Sequence, residues 1–413
     1  MDYLSRTLQG ALRKAARTFP AVMVTGPRQS GKTTLLRELF RRTHRFVSLE
    51  EPDVRERAIA DPRGFLKDNA PPVILDEIQY APDLLSYIKT VIDERRQRRG
   101  DWLLSGSQSF PLMQGVSQSL AGRVAVLNLL PFTHSEWVEA PALRTSFEAL
   151  LKPFFADRPR RPPTARSGGR AAALGDWLFR GGFPEPRVRA DMDITAWCAS
   201  YVQTYLERDV RTLLRVGDLN SFGRFVSLCA ARTAQVLNLS ELARDTGISV
   251  PTAKSWLSVL EASHTIFLLQ PYYRNIGKRL IKAPKLYFTD TAIAAYLTGF
   301  RTEETVMKGP MRCALFETAG VCAWYKAMLH RGERPTLYYW RTWDGEEVDL
   351  LIDWQGKLYP IEFKATSTVF PDHARVLSNW RETAGHPTCL LVANVDTSFV
   401  LRSGVNVVPW HWI

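Results

Sequence analysis

The run Gly26-Pro27-Arg28-Gln29-Ser30-Gly31-Lys32-Thr33-Thr34 has the G-x-x-x-x-G-K-[ST] spacing of a phosphate-cradling loop. Glycines permit a tight turn whose backbone amides converge on an anion. The helix that the loop opens adds a partial positive charge from its N-terminus. In this reading Gly26 to Thr34 enclose the phosphates of ATP, Lys32 reaches the β- and γ-phosphates, and the Thr33 hydroxyl ligates Mg²⁺. Average residue frequencies produce the pattern by chance only about once or twice in a hundred chains of this length.

Val73-Ile74-Leu75-Asp76-Glu77 belongs with it, an apolar strand ending in two carboxylates. Asp76 is expected in the Mg²⁺ shell, and Glu77, on the opposite side of the pleat, is placed to polarise the attacking water. Ser105 and Ser107 end the strand DWLLSGS, where a hydroxyl can sense the γ-phosphate. Arg123, in the turn AGR, is a candidate for a nucleotide or subunit contact.

A different chemistry is spelled near the other end. Asp349 lies in EEVDLLI, and Glu362 and Lys364 lie in YPIEFK. Two residues apart in a strand, Glu362 and Lys364 share a face. A neighbouring strand can bring Asp349 beside them, and Glu317 on the preceding helix can complete a set. Carboxylates so grouped hold a divalent cation, and the lysine can orient or deprotonate water for phosphodiester attack. The bland alternative is an exposed sheet face with a Glu362–Lys364 salt bridge.

Elements must position these groups. From Ala21 to about Pro131, five apolar runs (21–26, 45–50, 72–77, 101–107, 124–131) alternate with helical stretches such as 32–41 and 83–98, the rhythm of a parallel α/β sheet. Before them, Leu4, Leu8 and Leu12 recur at helical spacing among arginines; a packed amphipathic helix explains this better than a transit peptide, because the first strand follows at once. Residues 151–175 include RPRRPPTARSGGR, crowded with Arg, Pro and Gly, and read as a flexible insertion or linker. Helical segments fill 176–234. From Leu239 to Tyr287 the pattern predicts a winged helix, with Gly247 stopping one helix and Ser249 capping the next. Lys254, Ser255 and Ser258 would face outward, and Arg274–Lys282 would form a basic wing. Helix-turn-helix shapes also serve as packing modules that never touch DNA. A helix over 315–329 and three or four strands close the chain. The expected partition is 1–150, 151–175, 176–300 and 301–413.

With 413 residues the chain is too long for one ordinary core, and 45% hydrophobic with 23% charged residues is the balance of a folded soluble protein. No apolar run reaches the length of a membrane span. The five cysteines, at 198, 229, 313, 322 and 389, form no CxxC pair, which argues against a zinc site or disulfide framework and fits a reducing, cytoplasmic setting. The seven histidines show no metal-ligand spacing. A formal charge of +12 favours a polyanionic partner, although arginine-rich composition also follows from a GC-rich genome.

The ordered series GPRQSGKTTL, VILDEIQ, LLSGSQS, SLAGRVAVLNLLPFT, GGFPEP, YLERDV, LFETA, YYWRTWDGEEVDLLI and YPIEFKA covers nearly the whole chain and resembles a bacterial and archaeal family of AAA-type ATPases. The family carries a C-terminal domain long catalogued as of unknown function. The resemblance implies an α/β fold: an AAA+ domain, a helical and winged-helix segment, and a restriction-endonuclease-like C-terminal domain. It places nuclease-type positions on Glu317, Asp349, Glu362 and Lys364, and arginine-finger candidates on Arg123 and Arg208. The sequence departs from the family in its long Arg-rich insertion and in Thr318 after Glu317, where many relatives have an amide. The leading expectation is an ATPase that couples Mg-ATP hydrolysis to DNA handling, with Mg²⁺-dependent cleavage by the C-terminal domain as a possible second activity. The alternative is an ATP-driven switch that binds a protein partner and cuts nothing. A homo-oligomer fits either, since arginine fingers act across subunits. Small-molecule kinase activity would require a lid and an acceptor pocket rather than a wing and a carboxylate-lysine sheet.

Overall fold

The computed structural model describes residues 3–107, 116, 119–138, 146–161, 173–206, 219–273, 282–384 and 388–413. It divides the chain into two compact units: Met1–Pro131 with Ala262–His264 and Leu329–Glu333, and Phe132–Glu261 with Thr265–Met328 and Arg334–Ile413.

The first unit holds a parallel sheet of β1 (Ala21–Gly26), β2 (Arg45–Ser48), β3 (Val73–Asp76), β4 (Trp102–Ser107) and β5 (Val124–Asn128), in the order β2-β3-β4-β1-β5. Every residue of β1, β3 and β4 is buried, as continuous apolar runs in a sheet covered on both faces must be. On one face lie Leu8 and Leu12 of the helix Leu8–Thr18, with Leu35 and Leu36 of the helix Lys32–Phe40. The other face is filled by Phe65, Leu84, Leu85 and Ile88, among others. The leucines at helical spacing near the N-terminus are therefore core residues. Each expected strand is present; β1 keeps its expected bounds and the other four are trimmed where turn residues begin.

The second unit contains a mixed sheet in which nine strands are described. They are β6 (Gln235–Val236), β7 (Ile266–Pro271), β8 (Lys285–Phe288), β9 (Leu337–Arg341), β10 (Glu347–Trp354), β11 (Lys357–Lys364), β12 (Cys389–Ala393), β13 (Phe399–Val400) and β14 (Val405–Pro409). Their order is β13-β14-β12-β11-β10-β9-β7-β8-β6. The partition expected at residue 300 falls inside this sheet. β7 pairs in parallel with β9 through Gln270–Tyr338 and Pro271–Tyr339, so the hairpin β7–β8 and the C-terminal strands share one hydrogen-bonded layer. The boundary expected at residue 150 also moves, to Pro131, because Phe147, Leu151 and Phe154 pack into the second unit's core.

The helices Leu239–Thr246 and Val250–Ala262 form the expected turn-linked pair. Asn238 accepts from the Glu241 amide at 3.1 Å, Gly247 ends the first helix in the left-handed region, and Ser249 accepts from the Thr252 amide at 3.2 Å. Lys254 and Ser255 are exposed and Ser258 is half-buried. Most of the basic run 274–282, much of the Arg-rich insertion, and Arg208 lie outside the described residues.

Candidate functional site

The phosphate loop joins the all-buried β1 to the helix Lys32–Phe40. Two of its glycines are required by geometry. Gly26 passes so close to the chain beyond β5 that a Cβ there would lie 2.1 Å from the Leu129 carbonyl oxygen. Gly31 sits at φ +93°, a conformation that side chains disfavour, and delivers the chain into the helix. The loop is also held from outside. Arg6, buried ahead of the first helix, donates to the Ser30 carbonyl at 2.9 Å and to the Leu130 carbonyl at 2.5 Å. Hydrogen bonds from a charged donor contribute roughly 1.5–3 kcal/mol each. No motif marks Arg6; the only hint was an arginine inside an otherwise leucine-lined helical pattern.

Lys32 is 4% exposed and donates to the carbonyls of Gly26 at 3.1 Å and Pro27 at 2.9 Å. Burial lowers its pKa, against the opposing pull of Glu77 and Asp76. The Thr33 hydroxyl donates to both Asp76 carboxylate oxygens, at 2.9 and 3.1 Å, and Ser105 donates to the same carboxylate. A hydroxyl and a carboxylate facing one another beside a buried ammonium are the donor set of a phosphate-bound Mg²⁺. The Ser30 hydroxyl oxygen is buried without a hydrogen-bond partner in the same loop, as fits a wall built to meet a ligand. These residues fit Mg-ATP.

Glu77 differs from its expected placement. The strand stops at Asp76, and Glu77 follows at φ +57°, so a left-handed turn rather than the pleat directs its carboxylate. Burial raises its pKa, partly offset by Lys32 and by Gln79. Gln79 uses one amide nitrogen to bond both the Glu77 carboxylate and, at 3.1 Å, the Ser107 hydroxyl. Gln79 was not singled out from the sequence, although its position two residues after the acidic pair was the available clue. Arg123 donates to Asp93 through two nitrogens, at 2.8 and 3.0 Å, which lowers the Asp93 pKa. Its guanidinium is thus engaged within the first unit.

In the second unit the structure brings together Glu317, Asp349, Glu362 and Lys364. β10 and β11 pair through Leu350–Ile361, and one further step sets Asp349 opposite Glu362. The register of β10 against β9 shifts between Val348 and Leu351, on either side of Asp349. Asp349 accepts from the Phe363 amide at 2.9 Å, and Lys364 lies 2.5 Å from Glu362. The helix Arg312–Leu329 supplies Glu317. Burial first, then the Asp349 charge, raises the pKa of both Glu317 and Glu362. Two more residues, absent from the sequence reading, complete the cluster: Lys285 and Tyr287 of β8 both contact Glu317, at 2.9 and 2.6 Å. A charged residue leading the apolar strand KLYF, on one face with a tyrosine, was the signal. Among the described residues no group of three or more His, Cys, Asp or Glu is arranged to hold a metal ion.

A five-stranded parallel sheet with a phosphate loop on its interior strand and an acidic strand end beside it defines a P-loop ATPase of the AAA type. Residues 18–138 match the family model described as an AAA domain. Residues 171–304 and 312–413 match two models for domains of unknown function, DUF8612 and DUF4143. Uncharacterized proteins of Mycobacterium bovis and Mycobacterium tuberculosis are each 32% identical over 364 residues, 88% of this chain and 74% of theirs. The chain belongs to this family of AAA-type ATPases with a DUF4143 C-terminal domain. Among solved structures, the Walker-type ATPase of Pyrococcus abyssi aligns at 15% identity and a TM-score of 0.45, over 72% of this chain and 96% of its own. AMPPCP-bound DnaA from Aquifex aeolicus aligns at 14% identity and a TM-score of 0.27, over 62% of this chain and 85% of its own. No described helix is long and apolar enough to cross a membrane.

Proposed function

We propose that the protein hydrolyses Mg-ATP at the phosphate loop and couples the nucleotide state to the handling of DNA. The observation that carries the hydrolytic part is the convergence of Lys32, Thr33, Asp76 and Glu77 at the phosphate loop. When bound, Mg²⁺ neutralises charge on the phosphate oxygens. Lys32 exchanges its two loop carbonyls for phosphate oxygens. Thr33 and Asp76, already bonded to one another, orient the cation's ligands. Glu77, whose pKa burial raises and Lys32 and Gln79 lower, accepts the proton of the attacking water in its ionised form. Ser107, linked to Glu77 through Gln79, reports on the far end of the phosphates.

The DNA part rests on the formal charge of +12 and on the exposed Lys254 and Ser255 of the second turn-linked helix, which we read as the recognition helix of a winged helix. The test is ATP turnover with and without duplex and single-stranded DNA, for wild type, Lys32→Ala and Glu77→Gln. Hydrolysis that is abolished by Lys32→Ala and stimulated by DNA is expected. Calorimetry that finds no nucleotide uptake by the folded protein at saturating Mg²⁺ would falsify the reading.

A second reading keeps the ATPase but gives it a protein partner and a C-terminal domain that cuts nothing. It is favoured by the buried ammonium of Lys285, which sits against Glu317 and Glu347 in the carboxylate cluster. Nuclease assays with Mg²⁺ and Mn²⁺ decide it: cleavage that disappears in Asp349→Ala would rule it out.

A further inference from the structure

Four carboxylates meet in the second unit: Glu317, Glu347, Asp349 and Glu362. Three of them, Glu317, Glu347 and Asp349, face the ammonium of Lys285, while Glu362 pairs with Lys364. The Lys285 side chain is 2% exposed, contacts Glu347 closely, and lies 2.9 Å from Glu317 and 3.9 Å from Asp349. It also stands 5.7 Å over the Tyr339 ring. Three carboxylates, none farther than 3.9 Å, match the charge that burial alone would disfavour.

We propose that Lys285 is the resident cation of this carboxylate cluster, and that it excludes a divalent metal from the positions of Glu317 and Asp349. This inference rests on the geometry of the C-terminal sheet and not on the ATPase reading; it supplies a cause for the second reading above. An ammonium offers three donors, and here they face three carboxylates. Glu317 Oε1 already takes both the Lys285 ammonium and the Tyr287 hydroxyl. Asp349 Oδ2 takes the Phe363 amide, leaving Oδ1 toward Lys285. A small divalent cation requires carboxylate oxygens at about 2.0–2.1 Å, and an ammonium lodged among those oxygens competes for their lone pairs and repels the incoming charge. Here Glu317 Oε1, Glu347 Oε1 and Asp349 Oδ1 already face a fixed positive charge.

Two observations make this more than an acidic cluster. Glu362 is 6% exposed and its Oε2 has no hydrogen-bond partner, so one carboxylate oxygen at the cluster stands ready for a ligand. The lysine, by contrast, is fixed. β8 is paired on one edge by β7 through Leu269–Lys285 and on the other by β6 through Val236–Lys285, so its first residue cannot swing away as a loop lysine could. The cluster therefore holds a backbone-anchored cation among carboxylates that would otherwise be unmatched.

The experiment is Mn²⁺ binding to the full, nucleotide-free chain, followed by paramagnetic resonance and by thermal melting. Wild type should show no Asp349-dependent Mn²⁺ site and no Mn²⁺-dependent rise in melting temperature. Lys285→Met should gain one, with affinity increased by roughly tenfold or more because a like charge a few ångströms away has been removed. The gain should vanish in Lys285→Met with Asp349→Asn, and Lys285→Arg should gain nothing. Stoichiometric Mn²⁺ on wild type that is lost in Asp349→Asn overturns the proposal, as does a folded Lys285→Met that gains no metal. If Lys285→Met fails to fold, the comparison of wild type with Asp349→Asn decides alone. Absence of cleavage together with Asp349-dependent Mn²⁺ on wild type would sink this inference while sparing the second reading.

Discussion

Lys32 and Lys285 are both sealed from solvent, at 4% and 2% exposure, yet their surroundings push them in opposite directions. Lys32 donates to two neutral backbone carbonyls, and burial dominates, so its pKa falls. Lys285 faces three carboxylates, and their charge dominates, so its pKa rises. The difference decides what each can do. A lysine resting on carbonyls gains when an anion arrives, since a phosphate replaces weak partners with charged ones. A lysine already matched by carboxylates gains nothing from an anion, and leaves its partners exposed to one another if it moves. One unit presents a cation to a ligand; the other has used its cation internally.

The largest effect that would sharpen this contrast is Lys32→Ala, which should remove ATP turnover entirely and weaken nucleotide binding in calorimetry, while the melting temperature changes little. A comparable change at Lys285 should do the reverse. Lys285→Met leaves buried carboxylates without their counter-charge and should destabilise the protein by about 3–5 kcal/mol in denaturant titration, with ATP turnover per folded molecule unchanged. Combining it with Glu347→Gln should recover part of that loss, because one unmatched charge is removed with it. Strictly additive effects of the two substitutions would show that the pair is not coupled.

The two regions also differ in how far the sequence revealed them. The nucleotide loop was legible because its chemistry is local: β1, the loop and the helix Lys32–Phe40 are contiguous, and each glycine has one backbone reason to be there. The alternation of apolar runs likewise announced the parallel sheet. Asp349, Glu362 and Lys364 were readable as a strand-face set because a period of two is short-range information. Lys285 was not, because its partners lie 32, 62 and 64 residues away in sequence, on a packed helix and on a strand joined through the β7–β9 pairing. That pairing also carries one sheet across the boundary expected near residue 300. Arg6 and Gln79 escaped for a similar reason: each acts on a motif without belonging to its spacing.

Glu77→Gln offers the next test on the nucleotide side. Losing the base should lower kcat by roughly 10²–10⁴ while ATP still binds, which separates proton abstraction from phosphate binding. Retained turnover would assign the base elsewhere and make Glu77 a structural partner of Gln79.

The smallest effect is the most specific. Burial raises the Glu77 pKa, so the carboxylate keeps its proton to higher pH than an exposed glutamate. A base must be ionised, and the acid limb of kcat against pH should therefore sit above the ordinary glutamate value. Gln79 donates to that carboxylate, which favours the ionised form and pulls the pKa down. Gln79→Ala removes the donor, so the limb should move to still higher pH, with the plateau rate changed only a few-fold, the scale of about 1 kcal/mol for one hydrogen bond. A limb that moves down, or stays fixed while the plateau falls, would mean that Gln79 acts through Ser107 rather than through Glu77. The left-handed turn at Glu77 would then matter for sensing phosphate and not for tuning the base, and the first unit's polar contacts would resemble the second unit's more closely than the two lysines suggest.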